Sequence, residues 1–390
     1  MPRFTIITFL FLVFWGLFSD ILANVRPLWC HIEGVHYFPA FRSIINRGKI
    51  DYGDPHLKTF EENNSWQILP SANRIMPLIQ YAGNIRTPDK KMPPLSKGSS
   101  GATHWLGTDT EGRDALAALF AGARTALLTG AVAMFISLLL GGFLGGVAGY
   151  FGDTGASASK GMLLALSTGV IISLFVTLIS RKSIAAADGL SATQASLCVL
   201  AIMGAAFAVG KILKKIPFLS SRVTLPLDLV ILRLAEIFSA VPGFIVLLTV
   251  SAMMVDRSLM NMIILIGFIS WPGTARYLRA ELLRIRQLEY ITAARGLGLP
   301  EWRILWQHAL PNAVRPVMVA FALGTASAVL LEAGIAFLNI GNYDINQITW
   351  GQLLQAARSN IELWWVWLPP GVIICLLVGA LFEWSEALNK

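Results

Sequence analysis

The residues most able to hold a metal or act as nucleophiles in this 390-residue chain are five histidines and three cysteines, and their spacing favours neither role. His31, His36, His56, His104 and His308 do not cluster as a ligand set; His31 and His36 are near enough to meet on one loop, but a third ligand is missing. Cys30, Cys198 and Cys375 lie far apart, the last two inside apolar runs, so no disulfide framework or metal cluster follows. H-E-x-x-H, G-x-S-x-G and G-x-x-x-x-G-K-[ST] are all absent, which removes the strong signals for zinc hydrolysis, an activated serine and a phosphate cradle. "GLGLPE" at 296–301 begins like a dinucleotide turn but breaks the glycine pattern and follows no strand. The expectation is a chain that is not an enzyme and holds neither cofactor nor metal.

A mechanical contact is what the residue types do suggest, in "YITAARGLGLPEWRILWQHALPNA" at 290–313. Glu289 to Leu297 can form about two turns of helix, Gly298 tolerates a left-handed stop, and Pro300 suits the first turn of a second helix. That second helix, Glu301 to Leu310, puts Trp302, Leu305 and Trp306 on an apolar stripe, and Pro311 is expected to end it. Ala293, Ala294 and Gly296 leave a shallow, smooth surface, which fits a partner's groove better than lipid.

The elements that must hold this plug are membrane spans. The chain is 55% hydrophobic and only 14% charged, against about 25% charged in soluble domains. Uncharged runs at 4–19, 125–152, 161–180, 189–210, 237–255, 258–275, 316–331 and 363–382 give eight candidate spans at roughly 20 residues each. The net charge of +8 comes without aromatic-basic interleaving, so it reflects basic cytosolic loops and excludes a nucleic-acid partner. Residues 276–315 carry seven arginines against three acids, which makes that loop cytosolic and, counting backward, puts the N-terminus in the cytoplasm and residues 25–104 outside.

Local signals fill in the rest. Residues 25–104 read as a loop-rich extracytoplasmic linker, with "KKMPPLSKGSSG" its most flexible part. Thr108 and Glu111 have capping-box spacing and are expected to start the second span. Gly141, Gly145 and Gly149, with Gly142 and Gly146, recur every four residues and invite close approach by a neighbouring helix. Pro242 and Pro272, each followed by glycine, are expected to kink their spans.

The plug resembles the cytoplasmic loop of bacterial ABC importer permeases: Glu-Ala-Ala, three residues, Gly, then Ile and Leu-Pro, here Thr292-Ala293-Ala294, Gly298, Ile304 and Leu310-Pro311. Thr292 stands where the pattern has glutamate. Further stretches resemble the C-type permease of dipeptide and oligopeptide importers: "HWLGTDTEGRD" (104–114), "GYFGD" (149–153), "RLAEIFSAVPGFIVLL" (233–248), "SWPGTARYLRAELL" (270–283), "EAGIAFLNIG" (332–341) and "WGQLLQAAR" (350–358). The long outside linker is similar to the microcin-C-type peptide uptake variety.

The resemblance implies an all-α, polytopic bundle of six core spans in the bacterial inner membrane. Here that bundle carries an inserted two-helix hairpin at about 154–228. The implied layout is a first helix at 1–24, the linker at 25–104, and a permease core at 105–390 with the coupling loop at 276–315. Thr292, Ala293, Ala294, Gly298, Ile304, His308, Leu310 and Pro311 would then form the contact with ATPase subunits, which bind the ATP. A second permease and an extracytoplasmic peptide-binding protein complete the implied assembly. Nickel-importing relatives and an ATP-independent secondary transporter are the alternatives.

Overall fold

The computed structural model describes residues 3–32, 34–41, 66, 73–152, 157–162, 164–166, 168–169, 172–173, 192–213, 216, 221–224, 226–254, 258–340, 347–356, 358 and 360–389. Its helices are α1 (Arg3–Leu22), α2 (Ala115–Phe151), α3 (Ala192–Leu213), α4 (Leu227–Ala240), α5 (Gly243–Met253) and α6 (Leu259–Ile285). They continue with α7 (Glu289–Gly296), α8 (Glu301–Phe337), α9 (Trp350–Ala356) and α10 (Trp364–Asn389). Seven short strands accompany them: β1 (Trp29–Ile32), β2 (Val35–Tyr37), β3 (Arg74–Ile75), β4 (Ser96–Lys97), β5 (Thr103–His104), β6 (Ser157–Ser159) and β7 (Arg222–Thr224).

Among the described residues three helices are long and apolar enough to cross a membrane: Ala115–Phe151, Glu301–Phe337 and Trp364–Leu388. The pair α4 and α5 would make a fourth as one broken span, bent by 73°. Six core spans plus a hairpin are therefore met only in part. In α6 the polar C-terminal third, with Arg276, Arg279 and Arg284, dilutes an apolar start, and Phe9–Leu22 and Leu200–Leu213 are shorter apolar helices. The expected run at 161–180 lies largely outside the described residues.

The chain divides into two compact units, residues 1–146 with 235–390, and residues 147–234. In the first, one core gathers Leu12 of α1, Leu119 and Ala123 of α2, Val329 and Ala333 of α8, Trp350 and Leu353 of α9, and Ile374 and Leu377 of α10. A second core joins Leu247 of α5, Met262, Ile263 and Ile266 of α6, and Ala328 and Ile335 of α8. Helix α8 belongs to both, so the C-terminal helices are organised around it.

Small residues set how closely the helices approach. A Cβ on Gly145 would lie 2.2 Å from the Ala275 carbonyl oxygen, and one on Gly141 would lie 2.4 Å from that of Trp271. So α2 and α6 touch backbone to backbone there, as the four-residue glycine repeat implies. A buried hydroxyl pair, Ser137 Oγ and Thr274 Oγ1 at 2.7 Å, fixes the register one turn away. In the second unit β6 and β7 pair antiparallel, and the segment after β6 approaches α3 closely, Gly161 against Leu213 and Met162 against Gly210.

Two proline expectations separate here. Pro242 does break its helix, standing at the N-cap of α5 with extended backbone, whereas Pro272 lies inside the unbroken α6. The start of α2 also differs from expectation. Thr108 is not its cap: the Thr108 hydroxyl accepts from the Met92 N–H at 2.8 Å. Asp114 caps the helix instead, Oδ1 accepting from the Ala117 N–H at 2.8 Å.

The first unit also carries a sheet in the order β2-β1-β3 and a β4-β5 ribbon. The segment expected to be most flexible, 90–101, is pinned. The Lys91 N–H donates to the Asp109 carbonyl at 2.9 Å and the Gly98 N–H to that of Ala102 at 2.8 Å.

Candidate functional site

Helix α7 and the first turns of α8 form a compact foot. Its hinge follows from one glycine. Leu297 closes α7, Gly298 takes a φ of 78°, its N–H donates to Arg295 O at 2.9 Å, and the Leu299 N–H reaches Ala294 O at 3.3 Å. This double return is the Schellman stop, which requires a left-handed residue just past the helix. A Cβ on Gly298 would meet nothing within 4 Å, so conformation rather than space demands glycine there.

Pro300 then caps α8 rather than occupying its first turn, its carbonyl accepting from the Arg303 N–H at 2.8 Å and the Ile304 N–H at 3.1 Å. Across the hinge Arg295 grips Glu301 with both arms, Nε to Oε1 at 2.8 Å and Nη2 to Oε2 at 3.3 Å. Such a two-pronged pair fixes an angle as well as a distance. Opposite charges flanking Gly-Leu-Pro were the sequence signal for it.

The foot does not end at Pro311. Helix α8 runs unbroken from Glu301 to Phe337, 37 residues. The expected stop fails because Leu305–Ala309 forms a π turn, closed by the Leu310 N–H to Leu305 O. Proline lacks the N–H for a bond to the fourth residue back and collides with that carbonyl; a widened turn just before it removes the conflict. Asn312 Nδ2 donates to His308 O at 2.6 Å, satisfying a carbonyl beside the widened turn.

The residues singled out from sequence divide by exposure. Thr292, Ala293, Gly298 and Pro311 are exposed, His308 and Leu310 are half-buried, and Ala294 and Ile304 are buried. Ala294 and Ile304 thus face inward with Ile291 and Ala309 and hold the foot to its own chain. Beside Ala293 stands an apolar crest. Leu297 is 82% exposed, Trp302 65% and Trp306 59%, the two indoles meeting edge to face with centroids 6.2 Å apart. Leu297 was not anticipated; a leucine between two glycines in an arginine-rich loop was its only signal.

A second arrangement escaped the sequence reading. His104, inside "HWLGTDTEGRD", is fully buried between two carboxylates: Nδ1 lies 2.8 Å from Asp114 Oδ2 and Nε2 3.6 Å from Asp89 Oδ2. Its ring stacks on Tyr81, centroids 4.1 Å apart. Tyr81 in turn donates to Ala102 O at 3.0 Å. Desolvation acts to raise the Asp89 carboxyl, but hydrogen bonds from the Ser99 N–H and hydroxyl, with the nearby His104 ring, outweigh it and hold the group below the ordinary carboxylate range. Burial raises the Asp109 carboxyl against the opposing N–H bonds of Arg113 and Glu111. With Asp114 also capping α2, this node ties the loop before α2 to the first turn of the helix. It is a structural clamp, with the His104 side chain fully buried.

Comparison with known proteins agrees with the helical membrane architecture. Residues 218–388 match the family model described as binding-protein-dependent transport system inner membrane component. A Brucella ovis protein described as a peptide permease is 36% identical over 157 residues, 40% of this chain. The chain spans about half the length of that relative, 51%. The inner membrane ABC transporter permease protein YejE of Escherichia coli K12 is 24% identical over 97% of this chain and 90% of its own length. The dipeptide transport system permease protein DppC of Alkalihalophilus pseudofirmus is 26% identical over 71% of this chain and 67% of its own. With its apolar helices organised around α8, the chain is similar over residues 218–388 to the inner membrane components of binding-protein-dependent transport systems, and beyond them to relatives described as ABC transporter permeases.

Proposed function

We propose that this chain is the membrane subunit of an ATP-driven importer of di- and oligopeptides, and that the foot is its coupling element. In this reading a second permease completes the path, ATPase subunits bind and hydrolyse the ATP, and an extracytoplasmic protein delivers the peptide. This chain itself performs no chemistry and holds no cofactor. Residues 1–24 form the first helix with its N-terminus in the cytoplasm, 25–104 stand outside, and 105–390 form the permease core with an inserted hairpin at about 154–228. The substrate class is supported by the names of the relatives, which include peptide, dipeptide and peptidoglycan transport permeases.

The observation that carries the coupling role is the exposed surface of Thr292, Ala293, Leu297, Trp302 and Trp306 on a foot continuous with a 37-residue membrane helix. A small-residue face beside an indole crest offers a partner cleft both a seat and a grip. Because no break separates Trp302 from the membrane portion of α8, a push on the foot moves the span as a lever. Alternating access needs such a link.

The test is Ala293→Trp in proteoliposomes holding the complete importer. Ala293 is exposed, so the indole is tolerated by the isolated chain, and its thermal unfolding stays as in the parent. Peptide uptake and binding-protein-stimulated ATP hydrolysis should both fall to the unstimulated level. Full stimulation with normal uptake would defeat the coupling role; uptake of nickel but not of labelled peptide would defeat the substrate class.

A further inference from the structure

Strands β1 and β2 pair antiparallel with His31 directly opposite His36. Directly opposed residues project from the same face of a sheet. Their rings lie with centroids 4.8 Å apart and planes inclined by 38°. Trp29, two residues before His31 and so on the same face, covers them with centroids 5.6 Å from His36 and 6.5 Å from His31. His36 is exposed and His31 half-buried, so the pair is open to solvent.

We propose that His31 and His36 form a binding site for a divalent transition-metal ion of the imidazole-preferring kind, Cu2+ or Zn2+. Two imidazoles on one ion place their nitrogens at about 2.0–2.1 Å, and each ring centroid about 1.1 Å beyond. The centroids then stand about 4.5 Å apart at a right angle and about 5.2 Å apart at the tetrahedral angle. The separation of 4.8 Å already present falls between these limits.

Among the described residues the donor set is imidazole. Cys30, immediately before His31 in sequence, is on the opposite face, fully buried against Trp66. Among the described residues no group of three or more histidines, cysteines or carboxylates gathers, so water fills the remaining positions. A pair of imidazoles with water favours Cu2+ over Zn2+ and excludes Mg2+ and Ca2+, which seek oxygen. The ion would staple β1 to β2. The inference stands independently of the transport reading.

Trp29 supplies the readout. The full-length chain in detergent, without a histidine tag, is titrated with CuCl2. About one equivalent should bind, and the paramagnetic ion should quench Trp29 emission. Removal of the ion with EDTA should restore the emission, and Zn2+, with a closed d shell, should bind more weakly and without quenching. Trp29→Phe should abolish the change in emission while leaving uptake intact. His31→Ala or His36→Gln should weaken Cu2+ binding about 10–100-fold, since even loss of a partner behind a metal ligand has that effect. His56, His104 and His308 remain in these variants, so the loss localises the site. Unchanged affinity in both histidine variants, or loss of binding on Cys30→Ala, overturns the proposal. Parallel thermal unfolding of each variant separates a lost site from a lost fold.

Discussion

Gly298 and Gly296 allow backbone conformation to be separated from packing, because neither faces any atom within 4 Å of an added Cβ. They differ in conformation alone: Gly296 is the last residue of α7, and Gly298 sits at a φ of 78°. An alanine held left-handed costs about 1–2 kcal/mol. An alanine replacing a helical glycine instead gains up to about 1 kcal/mol. Gly298→Ala should therefore weaken the stop made by the Leu297, Gly298 and Leu299 amides, which bond to Ala293, Arg295 and Ala294. A change of 1–2 kcal/mol multiplies the local opening equilibrium about 5–30-fold. Hydrogen exchange on peptides covering 294–301 measures it, and protection should drop by that factor in Gly298→Ala while holding or rising in Gly296→Ala. Undiminished protection in Gly298→Ala would refute the argument, as would equal losses in both, since equal losses would mean packing matters after all. Parent-like unfolding of the whole chain is expected in each, because the effect is confined to an exposed hinge.

Other consequences are checked by thermal unfolding in a single detergent. His104→Ala strands the buried Asp114 Oδ2 and removes the ring stacked on Tyr81, so a loss of about 3 kcal/mol is expected, with exchange rising first at the start of α2. Gly145→Ala drives a methyl to within 2.2 Å of the Ala275 carbonyl oxygen and should cost about 1–3 kcal/mol. Gly142→Ala, whose nearest neighbour would be at 3.7 Å, should be neutral or stabilising by up to about 1 kcal/mol. Asp89 has a depressed pKa in the folded chain, so its contribution is complete above the ordinary value of 3.8 and is lost as the pH falls through the folded value. Asp89→Asn should flatten that acid limb of the stability profile; an unchanged acid slope would dismiss the role given to Ser99 and His104.

How much was legible in the sequence follows from how local each cause is. The stop at Gly298 was readable because a left-handed C-terminal turn is decided by a single residue and its neighbours. The α2–α6 approach was readable because a glycine repeat every four residues states a close contact without naming the partner. The cap of α2 was misread because Asp114 and Thr108 offer the same chemistry six residues apart. What decides between them is the distant segment at Met92, which claims the threonine hydroxyl. The His104 node was invisible for the same reason: Tyr81, Asp89 and Asp114 lie 10 to 23 positions away, and nothing in their spacing announces that they meet.

Proline exposes the limit most directly, since three similar signals had three outcomes. Pro242 stands at the boundary of two helices bent by 73°, and no helical carbonyl has to be given up there. Pro272 lies inside α6, at the stretch where the helix touches α2 backbone to backbone. Arg276 Nε donates to the Pro272 carbonyl at 3.3 Å there, and Arg276 Nη2 reaches Ser239 at 2.9 Å, so side chains brace the helix across the proline. Pro311 is absorbed by five residues of π turn, which no local propensity would have foretold. The last case matters most for the proposed mechanism. Had Pro311 ended the helix, the foot would be joined to the membrane by a hinge, and a displacement at Ala293 would dissipate in bending. With α8 continuous, the compliance is pushed to the other side of the foot, at Gly298, where Arg295 and Glu301 restrain it.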